Sequence, residues 1–167
     1  MNELIATFFG VGRLRPAPGT WGSLAAVIIA VVVYELGAAP LIPILFVIAT
    51  IAGFMVLPKV LTSKEDDPSE VVIDEVAGQL LALLFTTIPL YRHGVDSLFL
   101  GAWPGWVAPF LFFRLFDIWK PWLVGRADRK GGVSGVMMDD LWAGLFAGLL
   151  SCVCAGIYHA LIQPMLG

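Results

Sequence analysis

Charge is scarce in this chain. Of its 167 residues only 14% are Asp, Glu, Lys or Arg, against about 25% in a soluble globular domain. Apolar residues make up 59%, and mean hydropathy is +0.88. That balance excludes an ordinary water-soluble domain and a disordered chain. A net charge of −3 argues against a nucleic-acid partner, which is held mainly through Lys and Arg on its phosphates. Cysteine is nearly missing. Cys152 and Cys154 lie two apart in an apolar run, point in different directions on a helix, and have no further ligand nearby. They read as small core-filling side chains. Histidine occurs only at His93 and His159. The HExxH, GxSxG and GxxxxGK[ST] patterns are all absent. The N-terminal MNELIATFFGVG has no basic n-region and no long h-region, so no cleavable signal peptide is expected.

Long apolar runs are what the chain does have. Residues 24–57 carry one charge, Glu35, and are too long for a single helix. Gly37, Ala38, Ala39 and Pro40 supply a break between two. Further runs cover 71–90, 98–116 and 141–162. A span needs about 20 apolar residues, so these lengths predict five transmembrane helices. The expected fold is all-α: a polytopic membrane helix bundle forming a single integral-membrane domain over residues 1–167.

The connecting segments sort by charge. Segments 1–21, 58–70 and 114–138 hold Arg13, Arg15, Lys59, Lys64, Arg114, Lys120, Arg126, Arg129 and Lys130, while the other set holds only Arg92. Basic residues collect on the cytoplasmic side, which predicts a cytoplasmic N-terminus. The acids Glu65, Asp66, Asp67, Glu70, Asp74, Glu75, Asp117, Asp128, Asp139 and Asp140 fall on or near the same face, and Glu35 and Asp96 do not.

Some of these acids intrude into the spans. Asp67-Pro68-Ser69-Glu70 reads as a helix start, with Asp67 as N-cap and Glu70 closing a capping box. Asp74 and Glu75 then lie roughly 10 Å into the third span at 1.5 Å per residue. A charged carboxylate there costs about 2.5–3.5 kcal/mol at the membrane centre, so a divalent cation or a basic partner is needed. Ser134 similarly caps the fifth span, with Asp139 and Asp140 a turn and a half later. Asp74-Glu75-Val76-Ala77-Gly78 and Asp140-Leu141-Trp142-Ala143-Gly144 share the pattern D-x-x-A-G. A glycine one turn after an acid leaves a groove that another helix or a headgroup can enter, which suits two facing half-sites. Asp67, Glu70 and Asp128 read instead as acids that stabilise positive helix N-termini.

Arg114, Asp117 and Lys120 are spaced three apart and share one face at the end of the fourth span. The spacing serves an anionic oxygen ligand with a metal, or equally two snorkelling cations with an internal ion pair. The segment Gly10-Val11-Gly12-Arg13-Leu14-Arg15-Pro16-Ala17-Pro18-Gly19-Thr20-Trp21-Gly22-Ser23 reads either as an anion nest or as a turn and cap with interfacial anchors. Without a histidine or cysteine on this face, only carboxylates, cations, hydroxyls and glycines remain. That inventory suits magnesium-assisted phosphate chemistry, because Mg²⁺ takes oxygen ligands.

Four motifs occur in order: Ala17-Pro18-Gly19-Thr20-Trp21-Gly22-Ser23, Asp67-Pro68-Ser69-Glu70-Val71-Val72-Ile73-Asp74-Glu75-Val76-Ala77-Gly78, Phe113-Arg114-Leu115-Phe116-Asp117-Ile118-Trp119-Lys120-Pro121 and Asp139-Asp140-Leu141-Trp142-Ala143-Gly144. Together they resemble the bacterial phosphatidylglycerophosphatase A family over nearly the whole chain. Leu123 replaces an expected proline, and Ser134 is an extra residue before Gly135. The resemblance implies a Mg²⁺-dependent hydrolase of the bacterial inner membrane. Its lipid substrate, phosphatidylglycerophosphate, would lose the terminal phosphate to give phosphatidylglycerol. On this reading Asp74, Glu75, Asp139 and Asp140 are the candidate metal ligands, with Asp117 beside them. Arg114 and Lys120 clamp the phosphate, and Thr20, Ser23, Arg13 and Lys130 contact the substrate. Either water attacks phosphorus directly or an aspartyl-phosphate forms first. A CDP-alcohol phosphatidyltransferase and a small ion-coupled transporter are the rivals. The DxxDGxxAR…GxxxDxxxD pattern of the first is absent, and the acids cluster at one face rather than at the mid-depth expected of the second.

Overall fold

A computed structural model describes residues 1–62 and 68–162. Among them every regular element is helical. A short helix, α1 (Asn2–Ala6), leads into α2 (Pro18–Glu35), α3 (Ile42–Val56), α4 (Ile73–Arg92), α5 (Pro104–Trp119), α6 (Trp122–Asp128) and α7 (Gly132–Ile157). Four helical stretches are long and apolar enough to cross a membrane: Pro18–Glu35, Ala39–Lys59, Ile73–Arg92 and Gly132–Ala160. The predicted fourth span is not among them. Its helix begins only at Pro104 and runs 16 residues, about 24 Å at 1.5 Å per residue, against a hydrocarbon core of about 30 Å. Residues 98–103 form turns instead, because Glu35 at the end of α2 holds them there. Its carboxylate accepts the Phe99 N–H at 2.8 Å and the Ser97 hydroxyl at 3.2 Å.

Helix α4 is the centre of the bundle and packs against α2, α3, α5 and α7. Small residues let the neighbours close in, as expected where lipid supplies no hydrophobic drive between helices. Ala26, Ala30, Ala49 and Ala77 are buried in one cluster, and Ala82, Ala143 and Ala147 in another with Phe113. The α4–α7 contact is the tightest. A Cβ on Gly78 would stand 2.5 Å from the Asp140 carbonyl, and one on Gly144 would overlap the Gly78 carbonyl. The two D-x-x-A-G glycines therefore meet each other and leave no open groove. The outward faces are apolar: Ile44, Val47, Ile48, Ile51 and Met55 on α3 are exposed. Cys152 and Cys154 are exposed as well, so they do not fill the core. The Cys152 thiol donates to the Phe85 carbonyl at 3.2 Å.

Both predicted helix starts shift. Asp67 lies outside the described residues, and Pro68–Val72 precede the helix rather than open it. Helix α4 starts at Ile73 because the chain is pinned just before it. Val71 and Val72 are buried, and the Val72 N–H donates to the Ala6 carbonyl at 2.9 Å. Asp74 and Glu75 thus sit in the first turn of α4, not two turns in. Conversely α7 starts at Gly132 with Gly131 as its N-cap, which puts Ser134 inside the helix and Asp139 and Asp140 about two turns along it.

Candidate active site

Asp74 precedes Gly78 by four residues and Asp140 precedes Gly144 by four, so each acid shares a helix face with its glycine. When the glycines touch, the acids are drawn together. One carboxylate oxygen from each of Asp74, Glu75 and Asp140 lies within 4.8 Å of the other two. All three face a cavity of about 590 Å³ at one end of the bundle. The starts of α2, α4 and α7, the end of α5 and the end of α6 contribute to its wall. Asp117 and Asp139 line it too.

The cations are held by this acid wall. Arg114 Nη1 lies 2.5 Å from Asp117 Oδ2, the predicted i,i+3 pair. Nη1 also reaches the Ser23 hydroxyl at 3.5 Å, while that hydroxyl donates to the Gly19 carbonyl at 2.8 Å. Gly19 has no side chain, and the space where its Cβ would sit is occupied by Glu75 Oε1, with Arg114 Nη1 3.2 Å away. Lys120 turns away from Asp117, although the spacing predicts a shared face. It caps α5 in the left-handed region, at φ 50° and ψ 54°, which swings its side chain back toward α7. Its Nζ bonds Asp139 Oδ2 at 2.9 Å and also the Asp128 carboxylate. Burial pulls the Lys120 ammonium down, but these two carboxylates outweigh it and hold its pKa above the ordinary lysine value.

Of the eleven predicted site residues, seven meet at this cavity: Asp74, Glu75, Arg114, Asp117, Lys120, Asp139 and Asp140. Asp139 faces Lys120 rather than joining the close triad. The remaining predicted residues stand elsewhere. Thr20 is not on the cavity wall, and fully buried Ser23 supports Arg114 from behind. Arg13 lies outside near Glu3 and Glu70, at 4.0 and 3.8 Å. Lys130 donates to Ser134 at 3.2 Å on the exposed surface. Two residues that sequence reasoning did not place here, Asp128 and Arg129, line the cavity. Their adjacency on the basic segment before α7 was the only signal, and charge sorting explains any basic residue there equally well.

The profile of the family described as Phosphatidylglycerophosphatase A matches residues 4–155. The chain belongs to the phosphatidylglycerophosphatase A family. It is accordingly an enzyme, a phosphoric monoester hydrolase, as the four ordered motifs imply. Three relatives align along most of their length. A protein of Bacteroides thetaiotaomicron named putative phosphatidylinositol-3-phosphatase is 39% identical, covering 90% of this chain and 91% of its own. The phosphatidylglycerophosphatase A of Haemophilus influenzae is 32% identical, covering 87% and 83%. That of Escherichia coli is 31% identical, covering 89% and 80%. No solved structure matches the chain.

Proposed function

We propose that this chain is a Mg²⁺-dependent phosphatidylglycerophosphatase of the bacterial inner membrane, forming a single domain with its site on the cytoplasmic side. The observation that carries the reading is the charge of the cavity wall. Six carboxylates face three cations there, a formal charge of −3. A phosphate monoester, itself a dianion, is repelled by such a wall until cations are added. The donor set fits a hard divalent ion: three carboxylates converge, and Glu75 Oε2 and Asp140 Oδ1 are buried without a hydrogen-bond partner. Asp74, Glu75 and Asp140 would hold the ion, with Asp117 and Asp139 beside them. When bound it supplies neutralising charge and polarises a phosphoryl oxygen.

The chain's own groups then divide the remaining work. Arg114, braced by Asp117 and Ser23, keeps Nε free of any partner and aims a planar fork at two phosphate oxygens. Lys120 spends two of its three ammonium protons on Asp128 and Asp139 and keeps one for the third oxygen. Hydrolysis breaks the bond between phosphorus and the headgroup oxygen, and the diacylglycerol part never leaves the bilayer.

Two observations support the orientation and the number of crossings. Among the described residues eight basic side chains belong to the segments at the cavity end and one, Arg92, to the other. Helix α5 runs back along α4: Thr86 donates to the Gly105 carbonyl at 2.6 Å near one end, and Arg114 stands with Glu75 at the other. It thereby serves as a fifth crossing. The decisive experiment is phosphate release by purified protein from phosphatidylglycerophosphate, with MgCl₂ and with EDTA. Phosphatidylinositol 3-phosphate is run in parallel because of the Bacteroides relative's name. Release that needs Mg²⁺ and favours the glycerol lipid is expected. Release undiminished by EDTA would remove the metal from the proposal, and preference for the inositol lipid would reassign the substrate.

A further inference from the structure

Arg114 and Lys120 are both bonded to carboxylates in the cavity. Arg129, the third cation on its wall, is not. Among the described residues it forms no ion pair and no side-chain hydrogen bond. Its neighbours in sequence are engaged elsewhere, Asp128 with Lys120 and Lys130 with Ser134. The side chain is exposed at the rim and folds back over α6, its Nη1 3.2 Å from where a Cβ on Gly125 would stand. Gly125 thus makes a seat for the guanidinium, and any larger residue there would press on it. A seated guanidinium with no acid partner is an open donor fork for an anion arriving from outside.

The chemistry of the substrate suggests which anion. The monoester goes inward, to Arg114, Lys120 and the carboxylate-held ion. A lipid of this class carries a second phosphate, the diester that joins its headgroup to diacylglycerol. Only a glycerol separates the two phosphates, so with the monoester at Arg114 and Lys120 the diester stays in the same cavity, whose wall Arg129 shares. Resting on the monoesterase reading above, we propose that Arg129 binds this phosphodiester. Arg129 then separates lipids that carry a monoester and a diester from lipids that carry a monoester alone.

The test measures kcat/KM for phosphatidylglycerophosphate, which has both phosphates, and for phosphatidic acid, which has only the monoester. Wild type, Arg129→Gln and Arg129→Lys are compared in the same micelles. Wild type should favour the two-phosphate lipid. Arg129→Gln should lower the ratio of the two kcat/KM values about tenfold, through KM for the two-phosphate lipid, as expected for one charge-assisted hydrogen bond. Arg129→Lys should fall between, since it keeps the charge and loses the fork. Phosphatidylglycerol carries the diester alone and gives a readout without turnover: it should compete with substrate in wild type and more weakly in Arg129→Gln. An unchanged ratio in Arg129→Gln, or equal losses on both lipids, overturns the inference while leaving the monoesterase reading in place. Wild-type protein that releases phosphate from neither lipid overturns both.

Discussion

Replacing Asp140 by Asn tests the carboxylate triad without touching the packing of α4 on α7. Asp140 has oxygens within 4.8 Å of both Asp74 and Glu75. At that separation, with an effective dielectric of 20, each ionised pair repels by about 3.5 kcal/mol. An amide keeps the shape of the side chain and removes both repulsions. A relief of only 1 kcal/mol raises Tm by roughly 2–4 °C in a domain of this size. In EDTA the Asp140→Asn protein should therefore melt at least that much higher than wild type. Added Mg²⁺ should reverse the order, because wild type gains binding energy in the folded state and the variant has lost a ligand. Turnover should be abolished. Melting curves of detergent-solubilised protein, in EDTA and across a Mg²⁺ titration, read both effects. An Asp140→Asn protein that melts at or below wild type in EDTA and still gains the full Mg²⁺ shift would falsify the triad as a metal site.

Arg114→Lys should cost about 30- to 1,000-fold in kcat, the loss expected when a preorganised donor pair is reduced to a point charge, and micelle kinetics at saturating Mg²⁺ will show it. If kcat is retained, Arg114 is only an anchor. Gly144→Ala forces a methyl group into the Gly78 carbonyl, so overpacking should destabilise the protein by about 1–3 kcal/mol and pull Asp140 off Asp74. Thermal melting with an activity assay checks both, and a fully active, unshifted variant refutes the glycine contact. Lys120 gains proton affinity on folding, so its contribution to stability is complete below its ordinary value of 10.5 and fades only as pH climbs through the higher folded value. Wild-type activity should thus show no basic limb between pH 8 and 10 that Lys120→Arg abolishes, as pH–rate profiles of the two proteins will reveal. With Cys152 and Cys154 replaced, a membrane-impermeant thiol reagent added to intact cells should label a cysteine at Arg92 and spare one at Arg126. The reverse pattern inverts the topology.

The helices were legible because their signal is carried by many residues. The Gly37–Pro40 break places the end of α2 and the start of α3 to within a few positions, while α2 begins six residues before the apolar run. The carboxylates were legible for the opposite reason, since an acid beside a membrane span has few structural uses. The helix starts were not. Pro68 and Glu70 carry every local cue for an N-terminus, yet burial of Val71 and Val72 against α1 delays α4 until Ile73. The partner of Lys120 was hidden in one backbone torsion, which no spacing rule contains. Ser23 was read as a substrate contact because a hydroxyl in a glycine-rich turn suits an anion. Only the arrangement of α2, α4 and α5 shows it behind Arg114, facing away from the cavity.

The brevity of α5 bears on how a lipid reaches this enzyme. On the proposed five-crossing topology a helix of about 24 Å would sit in a bilayer whose oily layer is about 30 Å deep, and membranes answer such mismatch by thinning locally at a cost of fractions of a kcal/mol per Å. Such a dimple would form along α5, where Leu111, Leu115 and Ile118 are exposed on the way to Arg114 and Lys120. Headgroups drawn down into it would arrive nearer the level of the carboxylates. The substrate then needs only to drift sideways in its own leaflet, and no acyl chain has to be lifted toward water.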